Sequence, residues 1–160
     1  MRSVFCLAIL TLIIAGCDAD RVYEKNNDFK AGYWILTDKP EFEFEIDDTQ
    51  AKYNVYCNIR NSVTYPYSRL FLNYNLYDSS GNELHKNLVS HVLFDPKSGK
   101  PQGSSGLGDI YDQQFLLLRN YEFKNPGKYK VKFEQFMRTD TLQGILAVGT
   151  RIEKATDKAD

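Results

Sequence analysis

EFEFEID, residues 41–47, alternates without a fault: Phe42, Phe44 and Ile46 at even positions, Glu41, Glu43, Glu45 and Asp47 at odd ones. A period of two sets the two groups on opposite faces of an extended chain. That is the pattern of an antiparallel strand with one face on a core and the other in water. The same period runs through KYNVYCNIRN (52–61), where Tyr53, Val55, Cys57 and Ile59 share a face. Cys57 is thereby a small buried hydrophobe rather than a nucleophile. Downstream, RLFLNYNLYD (69–78) puts Leu70, Leu72, Tyr74 and Leu76 on one side. DSSGNE (78–83) is the clearest hairpin loop, and LHKNLVSHVLFD (84–95) is again of strand length.

The least regular stretch is DPKSGKPQGSSGLGDIYD (95–112), with two prolines and four of the ten glycines. It reads as a loop too long for a simple turn, not as a strand. Strands resume with QQFLLLRNYEF (113–123), break at KNPGK (124–128) and continue in YKVKFEQFM (129–137). A short helical turn is expected in RTDTLQG (138–144). ILAVGTRIEK (145–154) is apolar on both faces at first, as a central strand is. Upstream, RVYEKNNDF (21–29) reads as a first edge strand, and AGYWIL (31–36), with the only tryptophan, as a short turn or strand. Roughly eight strands and no amphipathic helix make the expected fold all-β: an antiparallel β-sandwich, Ig-like or jelly-roll-like.

The first residues differ from all of this. MRSVFCLAILTLIIAGC (1–17) has one early positive charge, Arg2, and an apolar run of about twelve from Val4 to Ala15. A membrane-spanning helix needs roughly twenty apolar residues. The run instead matches the charged start and short apolar stretch of a secretory signal peptide. Ile14-Ala15-Gly16-Cys17 resembles the lipobox of bacterial lipoproteins, in which the cysteine thiol takes a diacylglycerol and becomes the new N-terminus. The other reading is an ordinary signal peptide cut after a small residue, with Cys17 incidental. The expected organisation is a lipoprotein signal peptide at 1–16, a lipidated N-terminus and tether at 17–30, a β-sandwich domain at 31–154 and a frayed tail at 155–160.

Removing residues 1–16 takes Arg2 from the 20 basic residues and none of the 21 acids, leaving a net charge of −2. Nucleic-acid binders carry a strong basic footprint, so that partner class is excluded. Of three cysteines, Cys6 lies in the leader and Cys17 is the acylation candidate, so Cys57 has no disulfide partner. His85 and His91 share a strand parity, but no third ligand completes a zinc set. GSSG (103–106) lacks the strand-turn-helix setting of a hydrolase serine. Asp109 with Asp112, or Asp47 with Asp48, does not fit a spaced calcium loop. Glu41, Glu43 and Glu45 read as a solvated face rather than a glycosidase pair. No catalytic centre, metal site, cofactor or small-molecule substrate is expected.

In the C-terminal third, SSGLGDIYDQQFLL (104–117) and NPGKYKVKFEQFMRTDTLQGILAVGTRIEK (125–154) resemble the gliding motility lipoprotein GldH family of Bacteroidetes. Upstream, RVYEKNNDF, Trp34, EFEFEI and YNVYCNIRNSVTYPYSRLFL (53–72) fit the same family in order. One departure is that the family often carries a tryptophan in the Gly-rich loop, where this chain has Gly103-Ser104-Ser105-Gly106. The resemblance implies a lipoprotein anchored to the outer membrane, periplasmic side favoured, without known catalysis. It implies a requirement for gliding and for type IX secretion, with other machinery proteins as partners. It carries over no site residue but the lipidated Cys17. A docking surface at Gly106, Gly108, Asp109, Met137 and Arg138 is a separate reading, from the length of the Gly-rich loop. The reading of a different class is a glycan-binding lipoprotein, whose sign would be a flat exposed row of tyrosine rings.

Overall fold

The computed structural model describes residues 19–105 and 108–156. Eleven strands lie in them. The first six are β1 (Arg21–Asp28), β2 (Tyr33–Ile35), β3 (Glu41–Ile46), β4 (Tyr53–Ser62), β5 (Arg69–Tyr77) and β6 (Glu83–Val92). They are followed by β7 (Ser104–Ser105), β8 (Ile110–Tyr121), β9 (Gly127–Gln135), β10 (Thr141–Gln143) and β11 (Ile145–Lys154). Eight are long, the number expected; β2, β7 and β10 have only two or three residues each. One sheet runs β1-β11-β4-β8-β7, the second β3-β9-β5-β6, and β10 pairs with β2 alone.

The long strands pair from the outside inward. β1 pairs with β11, β3 with β9, β4 with β8 and β5 with β6, all antiparallel. This is one long hairpin rolled up until β11 meets β4 and β9 meets β5. Of the two expected sandwich types, the chain therefore adopts the jelly roll. The alternation of β3 survives in full, with Phe42, Phe44 and Ile46 buried and the glutamates between them exposed. Val55, Cys57 and Ile59 from β4 meet Leu70, Leu72, Tyr74 and Leu76 from β5 in the same core.

Three local expectations change. RTDTLQG holds no helical turn: Thr141–Gln143 is β10, and Leu142, opposite Trp34, is fully buried. Trp34 stacks on Phe29 at 5.3 Å and donates its Nε1–H to Asp38 O at 2.7 Å, so the small β2–β10 pair covers the end of the core with a closed aromatic lid. The Gly-rich stretch is not strandless, since Ser104 and Ser105 pair with Asp112 and Tyr111 and β8 already starts at Ile110. Residues 21–28, which the expected domain division places with the tether, form the expected first edge strand, β1, and pair along β11.

The sandwich has two unlike ends. At one, the chain enters β1 and leaves β11, with Lys154 N–H bonded to Asp20 O at 2.7 Å and Ala155 N–H to Lys52 O at 2.8 Å. The short connections 47–52, 78–82 and 122–126 lie there too. Asp78 closes its turn by accepting from Ser80 N, Asn82 N and Asn82 Nδ2, each at 2.9 Å. At the far end lie the long connections 29–40, 63–68, 93–109 and 136–144, together with the β2–β10 lid.

Candidate functional site

The far end collects exposed apolar side chains. Of nine large apolar residues exposed among those described, Ile35, Leu36, Val63, Tyr67, Phe71 and Phe136 lie at or near it, Phe136 at 58%. Val63 and Tyr67 line a hollow of about 380 Å³ with Tyr65, Phe94, Pro101 and Tyr111. Its inner wall is a ring pair, Tyr65 on Phe94 at 6.4 Å, with Tyr67 edge-on to Tyr65 at 5.6 Å. Burial raises the Tyr65 hydroxyl well above the usual tyrosine range, and that hydroxyl donates to Arg69 O at 2.8 Å. Exposed apolar groups concentrated at one place on a domain mark an interaction surface.

Of the expected docking residues, the four that are described fall at this end, held by different sheets. Gly108 and Asp109 are exposed just before β8, and Asp109 O accepts the Val63 N–H at 2.9 Å. Arg138 is exposed after β9. Met137, next to it, is less accessible. It is half-buried against the core, and its Sδ accepts the Phe71 N–H at 3.4 Å, which fixes Phe136 beside Phe71. Cys17 and Gly106 lie outside the described residues.

The two sheets also differ on their outer faces. On the β3-β9-β5-β6 sheet, Glu41 pairs with Lys130 at 3.0 Å and lies 3.9 Å from Lys132, while Glu134 pairs with Lys132 at 3.3 Å and Lys39 at 3.2 Å. Only the Glu41 pairs cross strands, from β3 to β9; Lys132 and Glu134 both lie on β9, and Lys39 precedes β3. The other sheet is hollowed by a groove of about 820 Å³ over β1, β11, β4 and β8, walled on one side by residues 102–104. Asn58 in the middle donates to Glu24 Oε1 at 3.0 Å and Asn26 Oδ1 at 3.4 Å, and accepts from Gln114 Nε2 at 2.9 Å. Two residues along the strand, on the same face, Arg60 grips Asp112 through Nε at 2.8 Å and Nη2 at 3.2 Å. This row escaped the sequence reading. Its one signal was asparagine and glutamine recurring at outward strand positions, where they are normally scarce.

The histidines do not meet. His85 lies edge-on to Tyr121 at 5.9 Å, and His91 stacks on Phe115 at 3.9 Å. His91 Nε2 is buried without a partner, and desolvation pulls the ring down to a pKa of about 4. Among the described residues, no three His, Cys, Asp or Glu side chains converge on one ion position. Cys57 is fully buried, and burial raises its thiol far above the usual range. Of the eleven tyrosines only Tyr67 is exposed, so the rings form no flat row.

Comparison with solved structures finds the VP2 subviral particle of infectious bursal disease virus, at 11% identity and a TM-score of 0.36. This chain is covered over 84% and spans 30% of that one. The Gx strain of the virus gives 13% identity and a TM-score of 0.35. The sequence relatives are far nearer. The gliding motility lipoprotein GldH homolog of Christiangramia forsetii is 31% identical, aligned over 96% of each chain. The gliding motility lipoprotein GldH of Flavobacterium johnsoniae is 27% identical over 92% of this chain and 94% of that one. The family model for the GldH lipoprotein matches residues 21–152, from the first residue of β1 into the last strand. With that match covering all but the last two strand residues of the jelly roll, the chain belongs to the GldH lipoprotein family.

Proposed function

We propose that this chain is a lipid-anchored, non-catalytic component of the gliding machinery and of the associated type IX secretion apparatus. The lipid is on Cys17, in the outer membrane, and the far end of the sandwich docks a neighbouring machinery protein. The observation that carries the reading is the polarity of the domain. The chain enters β1 at Arg21, four positions after Cys17, while six of the nine exposed large apolar side chains among the described residues sit at or near the opposite end. A domain held by so short a segment turns its apolar end away from the bilayer. Anchoring also raises its effective concentration for weak contacts in the envelope. A single acyl chain binds membranes marginally, so a lipoprotein's multiple chains make the attachment stable. The family and its relatives supply the gliding context by name.

The experiment is a clean deletion in the host, scored by spreading on agar and by the profile of secreted proteins. Loss of spreading with a reduced secreted profile is expected, and normal spreading contradicts the reading. Cys17→Ala, followed by metabolic labelling with a clickable palmitate analogue, separates the anchor from the rest. Label retained in the mutant contradicts lipidation at Cys17.

A further inference from the structure

The groove over β1, β11, β4 and β8 opens on the sheet itself, walled by residues 102–104 of the far-end connection, and is built differently from the apolar surface beside it. Its volume of about 820 Å³ falls within the 300–1,000 Å³ range of ligand sites. Two glycines shape it. An added Cβ at Gly149 would strike the Asn26 carboxamide and come 2.5 Å from Lys25 O, so the glycine lets Asn26 lie across the floor. At Gly103, φ is +85° and a Cβ would lie 2.6 Å from Asp112 O, so the wall sits tightly on β8. Gln102 N–H bonds Leu93 O at 2.8 Å, and Ser104 pairs with Asp112, which fixes that wall in place. The groove is pre-formed rather than a gap between mobile side chains.

Its chemistry is amphoteric and nearly neutral. Asp112 is held by Arg60 at 2.8 Å, and Glu24 by Arg21 at 3.0 Å and Arg151 at 3.4 Å, so the carboxylates are already compensated. A strongly charged ligand has nothing to neutralise here. What remains is hydrogen-bonding capacity beyond the ladder: the second N–H and Oε1 of Gln114, the amide of Asn26 and a lone pair of Asn58. Planar amides, carboxylates and a guanidinium in one row match vicinal hydroxyls, which each donate and accept. We propose that this groove binds a neutral glycan chain, lying across the strands and held by Asn26, Asn58 and Gln114.

No exposed ring row provides a stacking platform, so each sugar is held by hydrogen bonds of small net worth and affinity builds with chain length. The test is titration calorimetry on the full chain purified from membranes in detergent. The probes are cellohexaose, mannohexaose and an N-acetylglucosamine hexamer, each beside its disaccharide. At least one hexamer is expected to bind about tenfold more tightly than its disaccharide. Gln114→Ala and Asn58→Ala are expected to weaken that binding by about tenfold or more with an unchanged melting temperature. Gln114 is exposed, so its truncation leaves the fold intact. Glu43→Ala, on the other sheet, is expected to leave binding unchanged. Three results overturn the proposal. One is no heat from any hexamer at about 10 mM, a concentration well above millimolar dissociation constants. Another is equal or tighter binding of hexagalacturonate or of a neutral Gly-Ser peptide. The third is hexamer binding that survives both groove variants.

Discussion

The end of the sandwich where the chain enters and the far end are made of the same strands but finished in opposite ways. The entry end is closed by short turns whose polar groups are consumed locally. Asp48 Oδ1 accepts from Gln50 N at 3.0 Å, Tyr53 donates to Asp48 O at 2.7 Å, and Tyr129 to Asn125 O at 2.7 Å. Beneath those turns sits an aromatic cluster, with Phe123 4.6 Å from Tyr129 and Phe44 5.9 Å from Phe123. The far end is closed by long connections and a lid whose outside carries Ile35 and Leu36, each at least 40% exposed. A domain that needed only to be stable could have finished both ends alike. The difference separates an end closed by its own turns, where the chain enters β1, from an apolar one to which the proposed function assigns recognition.

The comparison can be pressed hardest at Phe44, which is 4% exposed in the entry-end cluster. Phe44→Ala is expected to cost about 3–5 kcal/mol of global stability in chemical denaturation. A cost below 1 kcal/mol would remove the entry end's claim to be the stabilising one. Next comes His91, whose neutral ring is buried on Phe115. The folded pKa of about 4 lies below the ordinary 6.5, so the unfolded chain binds the proton first. Stability is therefore full above about pH 6.5 and falls as pH drops toward 4, by roughly 2–3 kcal/mol in all. Denaturation midpoints of wild type and His91→Leu across that window check it, because the variant should lose this part of the acid sensitivity. At Gly149 the added Cβ forces β1 away from β11, and Gly149→Val is expected to cost about 1–3 kcal/mol, read from the same denaturation curves. The smallest effect belongs to the charged outer face, where Glu43→Ala should stay within about 0.5 kcal/mol.

The unevenness of what the sequence discloses follows from length scale. Alternation in EFEFEID and in residues 53–59 reports a local property, the two faces of a strand, and the faces came out as expected. Two- and three-residue strands contain too few positions to define a period. Ser104-Ser105 and Thr141–Gln143 were therefore invisible as strands, and Trp34 was not seen as the centre of a lid. The groove was hidden for a different reason. Asn58 reaches Asn26 from 32 positions away and Gln114 from 56, so only the sheet order brings them together. Met137 stood beside Arg138 as a docking candidate because nothing local reveals that its sulfur takes the Phe71 N–H.

The contrast between the ends is tested most directly by spreading on agar of the deletion strain carrying, in turn, wild type, Glu43→Lys and Arg138→Glu. Arg138 and Glu43 are both exposed, one at the far end and one on the charged outer face. Melting temperatures of the purified variants serve as the control for folding. The expected result is spreading restored by wild type and by Glu43→Lys but not by Arg138→Glu, with all three melting alike. Spreading restored by Arg138→Glu and lost with Glu43→Lys would contradict the assignment of recognition to the far end.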